Sequence, residues 1–357
     1  MKAFRMIPTL CFVLATYGTT VAETHHYPAG EYTGSMNLLG KVAAKAGDTI
    51  DCRNAVFHQH LLNAKGDDYP VRVNSGPGDI TVRFARVIGH DPWDVPWQIY
   101  YSKANSAALL AKSGGSVEFR DCFVGGPEEA NGCVWDYARW ARQQGETRNR
   151  LTHSACILGR DDLETDTGLK NLTVESCLFY SYVGFSSRPD GRERGNATHR
   201  DITIRNSIMR MFPCPGNSEK WGTEPLHGAP FKWRKGSQKY VLHNFVVAVG
   251  WPRAGRAQIF KHSMWGDNWS GALGYVKEAT GDNVFCYLDD DGFEDAVPLG
   301  PFRLLEGEEA RAYLTKKVVD WIEAHEYWRE IWPDYEAVLV KNVLQGVDTR
   351  TLGEHID

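Results

Sequence analysis

The chain alternates apolar and polar residues in short runs that recur. "IDCRN" at Ile50, "ITVRF" at Ile80, "VEFRD" at Val117, "LTVES" at Leu172, "ITIRN" at Ile202 and "YVLHN" at Tyr240 share apolar first and third positions, and "VFCYL" at Val284 is a weaker seventh. Neighbouring side chains of a strand point to opposite faces. Positions one and three therefore predict a buried row. Position four is usually charged (Arg53, Arg83, Arg120, Glu175, Arg205, His243), and position five is often short and polar (Asn54, Asp121, Ser176, Asn206, Asn244). A second apolar run follows at once: "AVFHQHLL", "ARVIGH", "CFVGG", "CLFYSY", "SIMRMF" and "FVVAVG". The repeat starts are separated by 30, 37, 55, 30, 38 and 44 residues.

An all-strand repeat of this length predicts a solenoid. One turn cannot bury its own apolar row, and stacking the turns builds a continuous core. The Asn/Asp/Ser column fits a sharp bend, where a short polar side chain bonds to nearby backbone. The variable spacing fits one loop per turn that is free to grow. A sandwich of antiparallel sheets also has many short strands, but it favours Gly/Asn hairpin turns over a strand–Asn–strand unit.

This pattern resembles the right-handed parallel β-helix of the pectin-lyase-like superfamily, from Thr49 to Asp295. The resemblance lies in the architecture and identifies no particular enzyme family. "GRDD" at Gly159 and "LHG" at Leu226 are only fragments of a polygalacturonase-type motif set. It implies an all-β fold of about seven coils, with three short strands per coil. The third strand is supplied ahead of each unit by "PVRVN", "ALLAK", "CILGR", "GFSSR", "PFKWR" and "IFKHS". Aligning these gives an inward column of Val71, Leu109, Ile157, Phe185, Phe231 and Phe260. One outward column is Arg72, Leu110, Leu158, Ser186, Lys232 and Lys261, and another is Asn74, Lys112, Arg160, Arg188, Arg234 and Ser263.

The ends divide the chain. Residues 1–22 read as a signal peptide: Lys2 and Arg5 precede a short apolar run, and Thr20-Val21-Ala22 offers a small-residue cleavage site. The expected location is therefore secreted or periplasmic. Residues 23–48 are expected to cover one end of the solenoid, residues 49–300 to form it, and residues 301–357 to make a C-terminal helical cap. In that tail Ala310, Leu314, Val318, Trp321 and Ile322 recur at helical spacing, and Pro333 marks a break. No segment is long and apolar enough to predict a membrane span.

Without the signal the chain carries 38 basic and 45 acidic residues, net −7, which argues against nucleic acid as a partner. Seven cysteines remain once Cys11 leaves with the signal, so at least one is free unless two chains are joined. Cys122 and Cys177 share a column and are expected in the core. Cys133 and Cys214 sit in long loops and could pair. Asn171, Asn196 and Asn268 begin N-x-S/T sequons.

An acidic chain that stacks cations on one sheet is the feature that points to chemistry. Parallel strands lie about 4.8 Å apart, and stacked like charges repel unless an anion or an acid compensates them. Trp93, Trp97, Trp135, Trp140, Trp221 and Trp251 lie in loops between turns, where aromatic faces suit sugar rings. The expected partner is an acidic, uronate-containing polysaccharide bound by a monomer. The expected activity is β-elimination. Lys232 is the candidate base, because cationic neighbours favour the neutral amine. Arg234 and Arg188 would clamp the carboxylate, and Arg160 and Lys261 would contact substrate with Trp135, Trp221 and Trp251. His227 is the alternate base. The acidic turn "GRDDLETD" offers a different reading: Asp161 and Asp162 or Glu164 as the acid and base of a glycoside hydrolase. Asp161 and Asp162 could also bind Ca²⁺, although the pattern requires no cofactor. A non-catalytic glycan-binding or surface protein is the third reading.

Overall fold

A computed structural model describes residues 21–33, 36–59, 71–74, 79–89, 107–112, 116–125, 155–160, 171–181, 183–188, 201–211, 214–215, 226–227, 229–233, 239–250, 276–290 and 302–344. Three parallel sheets contain nearly all of the described strands. Sheet A holds eight: Thr24–His26, Thr49–Asp51, Ile80–Arg83, Val117–Arg120, Leu172–Glu175, Asp201–Arg205, Lys239–His243 and Val276–Ala279. Sheet B holds nine: Gly30–Thr33, Ala55–Gln59, Arg86–Gly89, Phe123–Val124, Leu178–Ser181, Ile208–Met211, Val246–Val249, Val284–Tyr287 and Arg303–Glu306. Sheet C holds six: Met36–Asn37, Val71–Asn74, Ala107–Lys112, Ala155–Arg160, Val183–Arg188 and Ala229–Trp233. Within each sheet the strands lie in chain order, and as far as Ala229–Trp233 the chain visits A, then B, then C in succession; the described strands after it run A, B, A, B and B. This arrangement is consistent with a parallel β-solenoid.

Positions one and three of the repeat form the core, as the alternation requires. Ile80 and Val82, Val117 and Phe119, Leu172 and Val174, Ile202 and Ile204, and Tyr240 and Leu242 are all buried. Val117–Phe119, Leu172–Val174, Ile202–Ile204 and Tyr240–Leu242 stack as neighbouring parallel strands in register. Position five makes the bend from sheet A to sheet B. Phe84, Asp121, Ser176, Asn206 and Asn244 all adopt left-handed backbone, with φ of 57°, 55°, 52°, 51° and 44°. Asn and Asp tolerate that region, whereas a bulky aromatic there is an outlier. Phe84 is held by its neighbours: the guanidinium carbons of Arg83 and Arg53 lie 4.6 and 5.0 Å from its ring centre, and Tyr327 meets it edge-on at 5.2 Å.

Two expectations about the ends and one about the repeat change. The segment from Thr24 to Lys45 supplies the first strand of every sheet, because Thr24–His26, Gly30–Thr33 and Met36–Asn37 each pair in parallel with the next turn. "VFCYL" is a sheet B strand, in register with Val246–Val249, and its sheet A counterpart is Val276–Ala279. The helical tail lies along a face as well as following the last strand. It comprises α1 (Gly307–Glu323), α2 (Glu326–Ile331), a π-helical turn (Glu336–Val340) and α3 (Lys341–Leu344). α2 ends two residues ahead of Pro333, which lacks the N–H a helix interior needs.

The reason for that placement is the double-sided apolarity of sheet B. Phe179, Met209, Val247, Val249, Phe285 and Tyr287 face the solenoid core. Alternating with them, Phe123, Leu178, Ile208, Val246, Ala248, Val284 and Cys286 form a second core with Ala310, Leu314, Val318, Trp321, Ile322, Trp328 and Trp332 of the tail. Parallel strands covered on both faces read as continuous apolar runs, which is what "FVVAVG" and "VFCYL" are. Trp328 and Trp332 stack at 5.2 Å and 12°, and Trp332 meets Phe123 at 4.6 Å. Each buried side chain of this size contributes roughly 1.5–3 kcal/mol. The chain enters α1 through Gly307, whose φ is +53° and whose added Cβ would lie 2.7 Å from Asp290 Oδ1. Both facts favour glycine there.

Candidate functional site

Sheet C carries the cations singled out from the sequence, and its strand register follows the expected columns. Val71, Leu109, Ile157, Phe185 and Phe231 are successive partners, and Val71 is fully buried. The alternating column is Arg72, Leu110, Leu158, Ser186 and Lys232. Two positions further along, Asn74 pairs with Lys112, Lys112 with Arg160, and Arg160 with Arg188. Strand pairing thus puts three cationic residues at consecutive levels, and Lys232 is one level on and one column across. His227 lies in a two-residue strand, Leu226–His227, antiparallel to Cys214–Pro215. Arg234, Lys261, Trp135, Trp221, Trp251, Asp161, Asp162, Glu164 and most of the long loops lie outside the described residues.

Position four of the repeat is also charged, and each of its cations has an acid, although "IDCRN" is two residues out of the expected register: Ile50 partners Val82 and Asp51 partners Arg83, so Arg53 lies beyond its strand. Arg53 contacts Asp51 through Nε at 2.9 Å, and Arg83 contacts Asp121 through Nε at 2.9 Å. Arg120 donates to Glu118 at 2.7 Å, Arg205 pairs with Glu175, and His243 lies 3.9 Å from Glu278. This column is an ion-pair network on a structural sheet. It explains the charged fourth position without catalysis.

Two polar clusters were not legible in the repeat pattern. The first joins the tail to the bends. Asp121 is buried, and its two oxygens take His325 Nε2 at 2.9 Å and the Arg83 guanidinium. His325 Nδ1 faces the Trp321 carbonyl at 2.7 Å. Both ring nitrogens meet acceptors, so the doubly protonated imidazolium is the form that satisfies both. Burial alone would push the His325 pKa down, but the hydrogen bonds to Asp121 and to the Trp321 carbonyl outweigh it and raise the pKa. Burial likewise pushes the Asp121 carboxyl up, and hydrogen bonds from His325 and Arg83 overcome it and hold the carboxyl down. Along the same line, Lys317 donates to Asn244 Oδ1, Trp321 Nε1 to the Ser176 carbonyl, Trp328 Nε1 to the Asp121 carbonyl and Tyr327 to the Arg53 carbonyl. Later tail residues meet earlier turns, so the tail runs back along the bend column.

The second cluster is Glu23, His25 and Asp48, whose ligand-type atoms lie within 4.8 Å of one another. It is the group among the described residues that could hold a metal ion. Hydrogen bonds already close it, however. Asp48 Oδ1 accepts the Glu23 N–H at 2.9 Å, and Oδ2 meets the Lys45 N–H and His25 Nε2, each at 2.7 Å. These contacts hold the Asp48 carboxyl down at about 2, the Glu23 and Lys45 N–H groups contributing most.

Cys52, Cys122 and Cys177 are buried free thiols, and Cys177 Sγ lies 3.4 Å from the Cys122 amide. Burial pushes the thiols of Cys52 and Cys177 well above the usual range, which makes them inert, and Cys122 and Cys177 lie in the core as their shared column implied. Cys133 lies outside the described residues. Among the described residues, no helix is long and apolar enough to cross a membrane. Comparison with protein-family models, with curated proteins and with solved structures gives no match to this chain.

Proposed function

We propose that the protein is an exported carbohydrate-active enzyme, a polysaccharide lyase that cleaves a uronate-containing glycan by β-elimination. The accompanying fold reading is a right-handed parallel β-helix of the pectin-lyase-like type, with about seven coils. The observation that carries the functional reading is the register of sheet C, in which Lys112, Arg160 and Arg188 are consecutive partners and Lys232 partners Ser186 on the next strand. Elimination removes the proton on the carbon beside the sugar carboxylate. The C–H electrons form a C=C bond, and the glycosidic oxygen departs and takes up a proton. The negative charge that develops on the carboxylate is stabilised by cations already in place. Lys232 removes the proton, Arg188 and Arg234 hold the carboxylate, and Arg160 and Lys261 contact the neighbouring sugars. His227 is the alternate base.

The test is a screen of acidic polysaccharides followed by both ultraviolet absorbance and reducing ends. New absorbance from the C=C bond together with reducing ends supports the lyase. Reducing ends without absorbance would replace it with a hydrolase, for which Asp161, Asp162 and Glu164 follow Arg160 directly in the chain. Binding with neither product would make the protein a glycan-binding module.

A further inference from the structure

We propose that removal of the leader between Ala22 and Glu23 creates an α-ammonium group that Asp48 receives as an ion pair, so that export processing completes the first turn of the fold. Two independent observations meet at this bond. The sequence places a small-residue cleavage site at Thr20-Val21-Ala22. Among the described residues, pairing starts at the very next residue: the Glu23 carbonyl accepts the Thr49 N–H at 2.9 Å, and Thr24–His26 pairs with Thr49–Asp51. On the other side of the bond, Val21 is 82 % exposed.

The receiving site is already formed. Asp48 is 3 % exposed, and its Oδ1 lies 2.9 Å from the Glu23 nitrogen. Its Oδ2 is occupied by the Lys45 amide and His25. In the unprocessed chain the Glu23 nitrogen is a neutral amide with one N–H. Hydrolysis breaks the Ala22–Glu23 C–N bond, leaves a carboxylate on Ala22 and puts a protonated amine on Glu23. That amine has three donors and a unit positive charge at the same position. The titratable groups facing it are Asp48, His25 and the Glu23 carboxylate, which lies 4.0 Å from His25 Nε2. Asp48 remains ionised at neutral pH, and a charge-assisted bond is roughly twice as strong as the neutral one it replaces. This inference does not depend on the proposed catalytic activity.

The test uses the full-length chain, exported with its leader by a secretory host. Mass spectrometry is expected to find Glu23 as the first residue. An α-amine ordinarily titrates near ~7.7–8.0. Paired with Asp48, it is expected at least about one unit higher, so acetic anhydride at pH 8 should label it roughly tenfold more slowly than in Asp48→Asn. A second chain, made with Ala22 as its first residue, keeps Asp48 but moves the amine one residue outward. Its amine should react at the ordinary rate, whether or not Asp48→Asn folds. A mature chain that starts elsewhere would overturn the proposal. So would equal labelling rates for the Glu23-initiated and Ala22-initiated chains.

Discussion

Sheets A and C both carry columns of cationic residues; sheet A neutralises its own, and sheet C is known by the register that aligns them. In sheet A the fold supplies the acids: Glu118 for Arg120, Glu175 for Arg205, Asp51 for Arg53 and Asp121 for Arg83. In sheet C the column Asn74, Lys112, Arg160, Arg188 and the column Arg72, Leu110, Leu158, Ser186, Lys232 contain no carboxylate. A cation neutralised by its own fold is structure. Stacked cations on sheet C would need an acid or an anion beside them, and the proposed function takes that anion to be the substrate.

The sharpest way to break this comparison is to remove one cation from each sheet. Lys232→Ala should lower kcat on an acidic glycan by about 10²–10⁴, the usual contribution of a general base, with folding unchanged. Arg188→Ala should also raise KM and weaken the salt dependence of binding. Arg120→Ala in sheet A should leave turnover intact. Steady-state kinetics on the three variants decides the matter, and equal activity in all of them would make both columns structural.

The next effect concerns the face that sheet B presents to the tail. Trp328→Ala removes a fully buried ring that touches Trp321, Trp332 and Phe123, and it should cost about 3–5 kcal/mol in a denaturant titration. A loss below about 1 kcal/mol would mean that the tail is an accessory to the solenoid.

A smaller effect depends on pH. His325 has a raised pKa in the fold, so its contribution is complete below its unfolded value of about 6.5 and fades as pH rises through the raised value. Asp121 has a lowered pKa, so its contribution is complete above about 4 and fades as pH falls through the lowered value. The groups facing His325 are Asp121, Arg83 and the rings of Phe84 and Trp321. Docking of the tail should therefore be firmest between about pH 4 and 6.5. Thermal melts across pH should show His325→Gln removing the decline on the alkaline side, and an unchanged profile would rule out His325 as its source.

The smallest effect belongs to sheet A. Arg120→Ala and Arg205→Ala break half-exposed ion pairs and should each change stability by no more than about 1 kcal/mol. A larger loss in either would show that the network acts cooperatively.

Much of the solenoid was legible because its rules are local. A strand has a period of two, so apolar first and third positions identified the buried rows. The left-handed bend favours Asn, Asp and Ser, so the fifth position revealed itself at Asp121, Ser176, Asn206 and Asn244. Phe84 occupies the same bend without the polar signature, because its ring is held by Arg53, Arg83 and the tail. The columns of sheet C, including Lys112, Arg160 and Arg188, followed from aligning short strands on one apolar residue.

The sequence by itself determined the alternation, four of the bends, the strand register of the repeats from Ile80 to Tyr240 and the helical character of residues 307–331, but not the register of "IDCRN". Each of these depends on neighbours within a few residues or on copies of the same unit. Only the tertiary structure decided where the tail lies, that sheet B is covered on both sides, and that Asp48 meets Glu23 and His25. Those contacts join residues that no period relates. Asp121 and His325 are 204 positions apart, and Glu23 and Asp48 are 25 apart. Amphipathic helices fit many apolar faces; this one is assigned to sheet B because that sheet's second face is apolar and the bend carbonyls of Ser176 and Asp121 lie where Trp321 and Trp328 can donate to them.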